Sequence, residues 1–276
     1  MEEKVSEGKR KHINLNREQT MNCKRISKSL LLACLLAVTP LAGAQAQDPD
    51  PAEIIDRMEQ VMRGNSNYAE MTMRIERPRY QREVSMRSWM YGRDYSMIII
   101  TAPSRDEGTA YLMRENDIWN YDPRIDRTIR LPSSMMAQSW MGSDFTNDDL
   151  VRDTDVVEDF EHEILRTEEY EGRNAYVIRL IPKPDTPIVW GKVKMWICTD
   201  THIQLRVENY DQQDELVNTM KLDEIRDMGD REIPSRITVV PADKDNERTI
   251  LVYEKLEFGI DISRRFFTQE NMQRQR

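Results

Sequence analysis

"DIWNYDPRIDRTIRLPSSMMAQSWMGSDFTNDDL", Asp117 to Leu150, contains a change of period that decides the fold. Up to Pro132, short runs of aromatic and β-branched residues are separated by Asp, Asn and Pro, the pattern of short strands joined by turns. From Ser133 the two-residue period is lost. Met135, Met136, Trp140 and Met141 fill one half of the remaining stretch, and Asp144, Asn147, Asp148 and Asp149 crowd the other. The spacing predicts a strand meander interrupted by short helices.

The same meander extends outward on both sides. Upstream, Ala69, Met71, Met73 and Ile75 alternate with Glu70, Thr72, Arg74 and Glu76, as in a strand with one buried face. "REVSMRSWMYGRDYSMIII" reads as two strands about Gly92-Arg93-Asp94, and "TAYLMRENDIWNYDPRIDRTIRLP" as three. Further upstream, "DPDPAEIIDRMEQVMRG" has Ile54, Ile55, Met58, Val61 and Met62 at helical spacing. Pro51 suits the first turn, and Gly64 closes the helix. Downstream, strand runs turn at Glu171-Gly172-Arg173, near Asp200-Thr201, at Asp211 to Asp214 and at Ala242 to Asn246, and Thr268 is the expected N-cap of a terminal helix. The expected fold is α+β and mainly β: a curved antiparallel sheet of about eleven strands, wrapped around helices as an incomplete barrel, because a sheet this large must curl to manage its edges.

Residues 21–46 carry a basic stretch (Lys24, Arg25, Lys28), a short apolar run (Leu30 to Val38) and Ala44-Gln45-Ala46, the three parts of a secretory signal peptide. Residues 1–20 read as a leader or a mis-assigned start, and 47–276 as a single domain. "LLAC" ending at Cys34 resembles a lipoprotein cleavage box, but the apolar run before it is very short and "LLAV" follows, which argues against anchoring there. Cys198 is the one cysteine after residue 46, so the exported chain cannot close an internal disulfide and depends on its core. Residues 1–46 hold 8 of the 40 Lys and Arg and 4 of the 49 Asp and Glu; the remainder has 32 cations against 45 carboxylates, a net charge of −13. Such an acidic chain is a poor ligand for nucleic acid or anionic lipid surfaces.

Catalytic chemistry finds little support. His162 and His202 are the only histidines after residue 46, one in an acidic run and one in a turn, with no nucleophile motif beside either. "SDFTNDDL" fails as a calcium loop, since counting from Asp144 puts Asp149 where the loop requires Gly. Zinc would need a Cys and His cluster. The residues therefore predict no enzyme, no metal and no cofactor. The better reading of the polar run is that Ser143 or Asp144 caps a helix whose N-terminus Asn147, Asp148 and Asp149 complement.

Fifteen methionines remain after Met1 and Met21 are set aside. Methionine is a flexible wall material suited to varied apolar partners. Met71, Met73 and Ile75, with Met86, Met90 and Trp119, are the expected wall of an apolar cavity; ordinary core packing is the competing reading for any one of them. The interruption at Ser133–Leu150 is expected to lie over the concave face as a plug or lid. In that reading Met135, Met136, Trp140 and Met141 point inward with Phe145 as anchor, while Ser143, Asp144, Asn147, Asp148 and Asp149 cap the next helix and stay near the rim.

Taken together, the signal peptide, "PAEIIDRMEQVMRG", the long meander, "DIWNYDPRIDRTIRLP" and "SWMGSDFTNDDL" resemble the outer-membrane lipoprotein-sorting-protein-like family, related to the LolA/LolB lipoprotein carriers. The resemblance implies an incomplete β-barrel with helices over its mouth and an apolar cavity between. It further implies a monomeric periplasmic carrier or chaperone for a lipid or the acyl chains of a lipidated protein, with an inner-membrane exporter of the resistance-nodulation-division type as partner. The alternative it leaves open is a lipid-sensing regulatory module of an envelope-stress pathway.

Overall fold

The structure is a computed structural model that describes residues 49–115, 117–151, 156–184, 186 and 188–274. The expected signal peptide and Cys34 lie outside the described residues.

Helix α1 (Pro51–Met62) starts where Asp50 accepts a hydrogen bond from the Ala52 backbone N–H at 2.9 Å, with Pro51 in the first turn. Ile54, Ile55 and Met58 form its buried stripe. Its last turn is capped from a distance: Arg231 donates to Gln60 O at 2.8 Å, which also accepts from Gly64 N–H at 3.1 Å, and to Val61 O at 3.3 Å.

Thirteen strands follow among the described residues, two more than expected. They are β1 (Ser66–Arg77), β2 (Tyr80–Tyr91), β3 (Tyr95–Ala102), β4 (Ala110–Arg114), β5 (Asp117–Asp122), β6 (Arg127–Arg130), β7 (Phe160–Tyr170), β8 (Arg173–Pro182), β9 (Lys192–Cys198), β10 (Gln204–Tyr210), β11 (Leu216–Asp227), β12 (Glu232–Pro241) and β13 (Arg248–Phe258). All thirteen form one antiparallel sheet in the order β6-β5-β4-β3-β2-β1-β13-β12-β11-β10-β9-β8-β7, open between β6 and β7. The chain starts mid-sheet, walks out to one edge, crosses, and walks back from the other edge until β13 pairs with β1. The interruption between β6 and β7 is therefore mid-sequence but connects the two outer edges.

The register identifies the concave face. Leu222 pairs with Ile237, Ile237 with Leu251, Leu251 with Met73, and Met73 with Val84, one continuous apolar row across five strands. A second row runs from Ile178 through Met195 and Val207 to Met220. Helix α1 packs Ile54, Ile55 and Met58 on the β7–β11 part of this face, against Ile178, Met195 and Leu222. The crossing segment packs on the β1–β5 part. On the opposite face of β3–β5, Phe267 and Met272 cover Tyr95, Met97, Ile99, Leu112 and Tyr121. Met272 lies in helix α3 (Gln269–Arg274), capped by Thr268 as expected, with Asn271 N–H to Thr268 Oγ1 at 3.1 Å. Covered on both sides, β3 is buried along most of its length rather than alternately.

Candidate functional site

The crossing segment is built of a 3-10 turn (Ser133–Met135), a second (Trp140–Gly142) and helix α2 (Asn147–Val151). Met141 and Gly142 have φ of 52° and 78°, and two successive left-handed residues reverse the chain tightly. The arms of the reversal meet in a bridge between Ser139 and Thr146, with Trp140 N–H donating to Phe145 O at 2.8 Å. Met136, Trp140 and Phe145 are thereby buried in one cluster with Met71, Met73, Ile75 and Met86, and Met135 and Met141 pack on it half-exposed.

Arginines from the sheet hold this cover down. Arg77 donates to both carboxylate oxygens of Asp144, at 2.9 and 3.0 Å, and to Gly142 O at 3.1 Å. Thr249 Oγ1 donates to the same carboxylate at 2.7 Å and accepts from Asp144 N–H at 3.0 Å. Arg82 donates to Met141 O at 3.0 Å. The side chains of Arg77 and Asp144 are only 10% and 4% exposed, so the pair is a buried fork rather than a surface bridge.

The polar half of the segment differs from its expected role. Asp144 pairs with Arg77 and does not cap α2. Thr146 does: Asp149 N–H donates to Thr146 Oγ1 at 3.1 Å, and Thr146 N–H to Asp149 Oδ2 at 2.8 Å, a reciprocal capping box. Ser143 accepts from Phe145 N–H and donates to Trp140 O, serving the reversal. Ser143, Asn147 and Asp148 are buried instead of standing at a wetted rim. The rim expectation set the apolar side chains inward and the polar ones outward across the cover. A segment folded back on itself must satisfy its own backbone groups, and these side chains do that: Asn147 Nδ2 reaches Met135 O at 2.9 Å.

Two adjoining cavities lie between the cover, α1 and the sheet. The first, about 300 Å³, is walled by Phe145, Trp190, Met195, Val207, Met220 and Leu222, with Glu59, Asp148 and Asp149 as its charged lining. The second, about 260 Å³, is walled by Met62, Met71, Met86, Met90 and Ile98, with Arg63. Asp149, Leu251 and Tyr253 belong to both. Burial holds the Asp149 carboxyl above the usual carboxylate range, against the opposing hydrogen bonds from Thr146 and Trp190. Burial also raises the Tyr253 hydroxyl, partly offset by the Arg63 guanidinium, and lowers the Arg63 guanidinium, which Glu59 opposes. Arg63 Nε and Nη2 both point at the Met90 thioether, at 3.2 and 2.7 Å.

Of the expected wall residues, Met71, Met86, Met90 and Phe145 line the cavities. Met73, Ile75, Met136 and Trp140 are core beneath or beside them. Met141 borders a separate groove with Tyr80, Arg82 and Arg105. Trp119 departs from its expected place: Ile118 takes the concave side of β5, and the alternation sends Trp119 to the opposite face, against the C-terminal segment. The second half of the sheet was missed. Met195, Val207, Met220 and Tyr253 occupy alternating strand positions that look like ordinary core until the register places them opposite α1. His162 Nε2 lies 2.6 Å from Val156 O, and His202 sits in the β9–β10 turn. Among the described residues no group of three His, Cys, Asp or Glu side chains could hold a metal ion.

A family model described as an uncharacterized protein matches residues 92–274. No curated protein matches the sequence. Among solved structures, an outer membrane lipoprotein-sorting protein domain from Vibrio parahaemolyticus superposes with a TM-score of 0.73 at 22% identity, covering 81% of this chain and 98% of that one. A DUF1329 family protein from Desulfovibrio piger gives 0.73 at 24% identity, covering 82% and 100%. A LolA superfamily protein from Nitrosomonas europaea gives 0.70 at 22% identity, covering 80% and 99%. At these identities the likeness is one of fold.

Proposed function

Given that the chain belongs to the family matched over residues 92–274 and has the fold of LolA-superfamily lipoprotein-sorting domains, we propose that it is a periplasmic carrier or chaperone that holds acyl chains of a lipid or lipidated protein. The observation that carries this reading is the pair of adjoining apolar cavities between the concave face and its two covers. The first, about 300 Å³, is at the lower end of the size range of ligand sites, and the second, about 260 Å³, is just below it, so together they make one site of ordinary size. Every acyl methylene moved from water into them would contribute about 0.8 kcal/mol, so several suffice for binding without a catalytic group.

Residues 21–46 supply the export signal of this reading. The acidic balance of the remainder suits a soluble monomeric shuttle that does not adhere to anionic membranes. The resemblance alone supplies its partner, an inner-membrane exporter of the resistance-nodulation-division type. Native mass spectrometry of gently purified protein, with lipid extraction, tests the carrier reading. Adducts of acylated mass that leave on organic extraction are expected. A single unliganded mass, with no uptake of the apolar dye N-phenyl-1-naphthylamine, would overturn it.

A further inference from the structure

The wall between the two cavities is polar, and its chemistry narrows the ligand. Tyr253 lines both cavities. Other tyrosines of the sheet give their hydroxyl hydrogen to a carboxylate: Tyr68 to Glu70 at 2.9 Å, Tyr95 to Glu115 at 3.0 Å, Tyr121 to Asp126 at 2.8 Å and Tyr210 to Glu208 at 2.6 Å. Tyr253 has no hydrogen-bond partner among the described residues. Tyr253 is half-buried on that wall, and its hydroxyl is a donor that a bound group can use. Asp149, on the same wall, is the other polar group, and its carboxyl is held toward its proton-bearing form.

The charges on either side exclude ionic head groups. Arg63 is already balanced by Glu59 at 3.2 Å, so it offers an anion no free charge and an anion would also face Asp148, while a cation would face the Arg63 guanidinium. An uncharged acceptor meets neither repulsion. Each cavity alone is small, and only a molecule passing this wall would fill both with apolar substance. On the carrier reading above, we propose that the Tyr253–Asp149 wall binds the carbonyl of an acyl ester or amide, with one apolar arm in each cavity. The ligand class is thus a neutral acyl linkage, as in an acylglycerol or an N-acyl group, rather than a free fatty-acid anion or a bare hydrocarbon.

Displacement of N-phenyl-1-naphthylamine from the whole exported chain by methyl hexadecanoate, heptadecane and hexadecanoate tests this. The ester is expected to displace the dye at the lowest concentration. Tyr253→Phe is expected to weaken the ester about three- to tenfold, the worth of one neutral hydrogen bond, and to leave heptadecane unchanged. The infrared carbonyl band of ¹³C-labelled bound ester is expected to rise in wavenumber in the variant, a readout that altered packing alone would not give. Equal weakening of ester and alkane, or an ester no better than the alkane in the wild type, would overturn the inference and leave the carrier reading standing. Failure of the dye itself to bind would remove both.

Discussion

Replacing Asp144 by Ala tests whether the crossing segment is a latched cover or a loosely seated loop. The carboxylate accepts two hydrogen bonds from Arg77 and one from Thr249, and its side chain is 4% exposed. Removing one partner of a buried ion pair costs about 3–5 kcal/mol, because the other charge stays desolvated. Arg77 would keep Glu247, at 3.2 Å from its Nε, and the carbonyls of Gly142, Glu76 and Arg248. These acceptors reduce the expected loss to about 2–4 kcal/mol, or a fall in Tm of about 5–15 °C for a domain of this size. Urea unfolding followed by tryptophan fluorescence measures it, and proteolysis between residues 133 and 159 should accelerate in parallel. The paired change Arg77→Met with Asp144→Leu should recover a large part of the loss, since an apolar pair leaves no orphaned charge. A loss below about 0.5 kcal/mol, the level of an ordinary surface change, would refute the latch.

Asp149 has its folded pKa raised by burial, so its contribution to stability is full below the ordinary carboxylate range and is lost as pH rises through the folded value. Asp149→Asn should therefore be more stable than wild type at neutral pH, with the advantage vanishing near pH 4 in denaturant titrations; an advantage independent of pH would contradict this. Trp140 is fully buried and its indole N–H has no partner among the described residues, so Trp140→Ala should cost about 3–5 kcal/mol while Trp140→Phe, which removes that donor, should cost under about 1.5 kcal/mol in urea unfolding. A Cβ at Gly191 would lie 2.3 Å from the backbone oxygen of Asp211, so Gly191→Ala should lower stability by about 3 kcal/mol; an unchanged unfolding midpoint would show that this loop gives way freely.

Much of the fold was legible along the chain because its signals are local. A strand covered on one face repeats every two residues, as Ala69 to Ile75 do. A hairpin turn needs residues that tolerate left-handed backbone, such as Glu171-Gly172, with φ of 49° and 80°. A helix announces itself through its cap and apolar stripe, as Asp50, Pro51 and Ile54 to Met58 show. The break at Ser133 was equally plain, since nothing after Pro132 continues the strand period.

The candidate site was less legible, because it is assembled from pairings that no local pattern encodes. That β13 closes on β1, and that the segment after Pro132 joins the two sheet edges, follows from pairings between residues more than a hundred positions apart. Trp119 and Ile118 are neighbours in sequence and both apolar; only the packing of Phe267 and Met272 on one side of β5 and Met136 and Trp140 on the other determines which of them takes the concave side. Asp144 read as a helix cap because caps are local, whereas its partners Arg77 and Thr249 lie 67 and 105 residues away. The sequence by itself thus determined the strand period, the helix caps, the interrupted meander and the charge. The tertiary structure alone decided which apolar residues form core and which form cavity wall, because that depends on what the long-range register places across the gap.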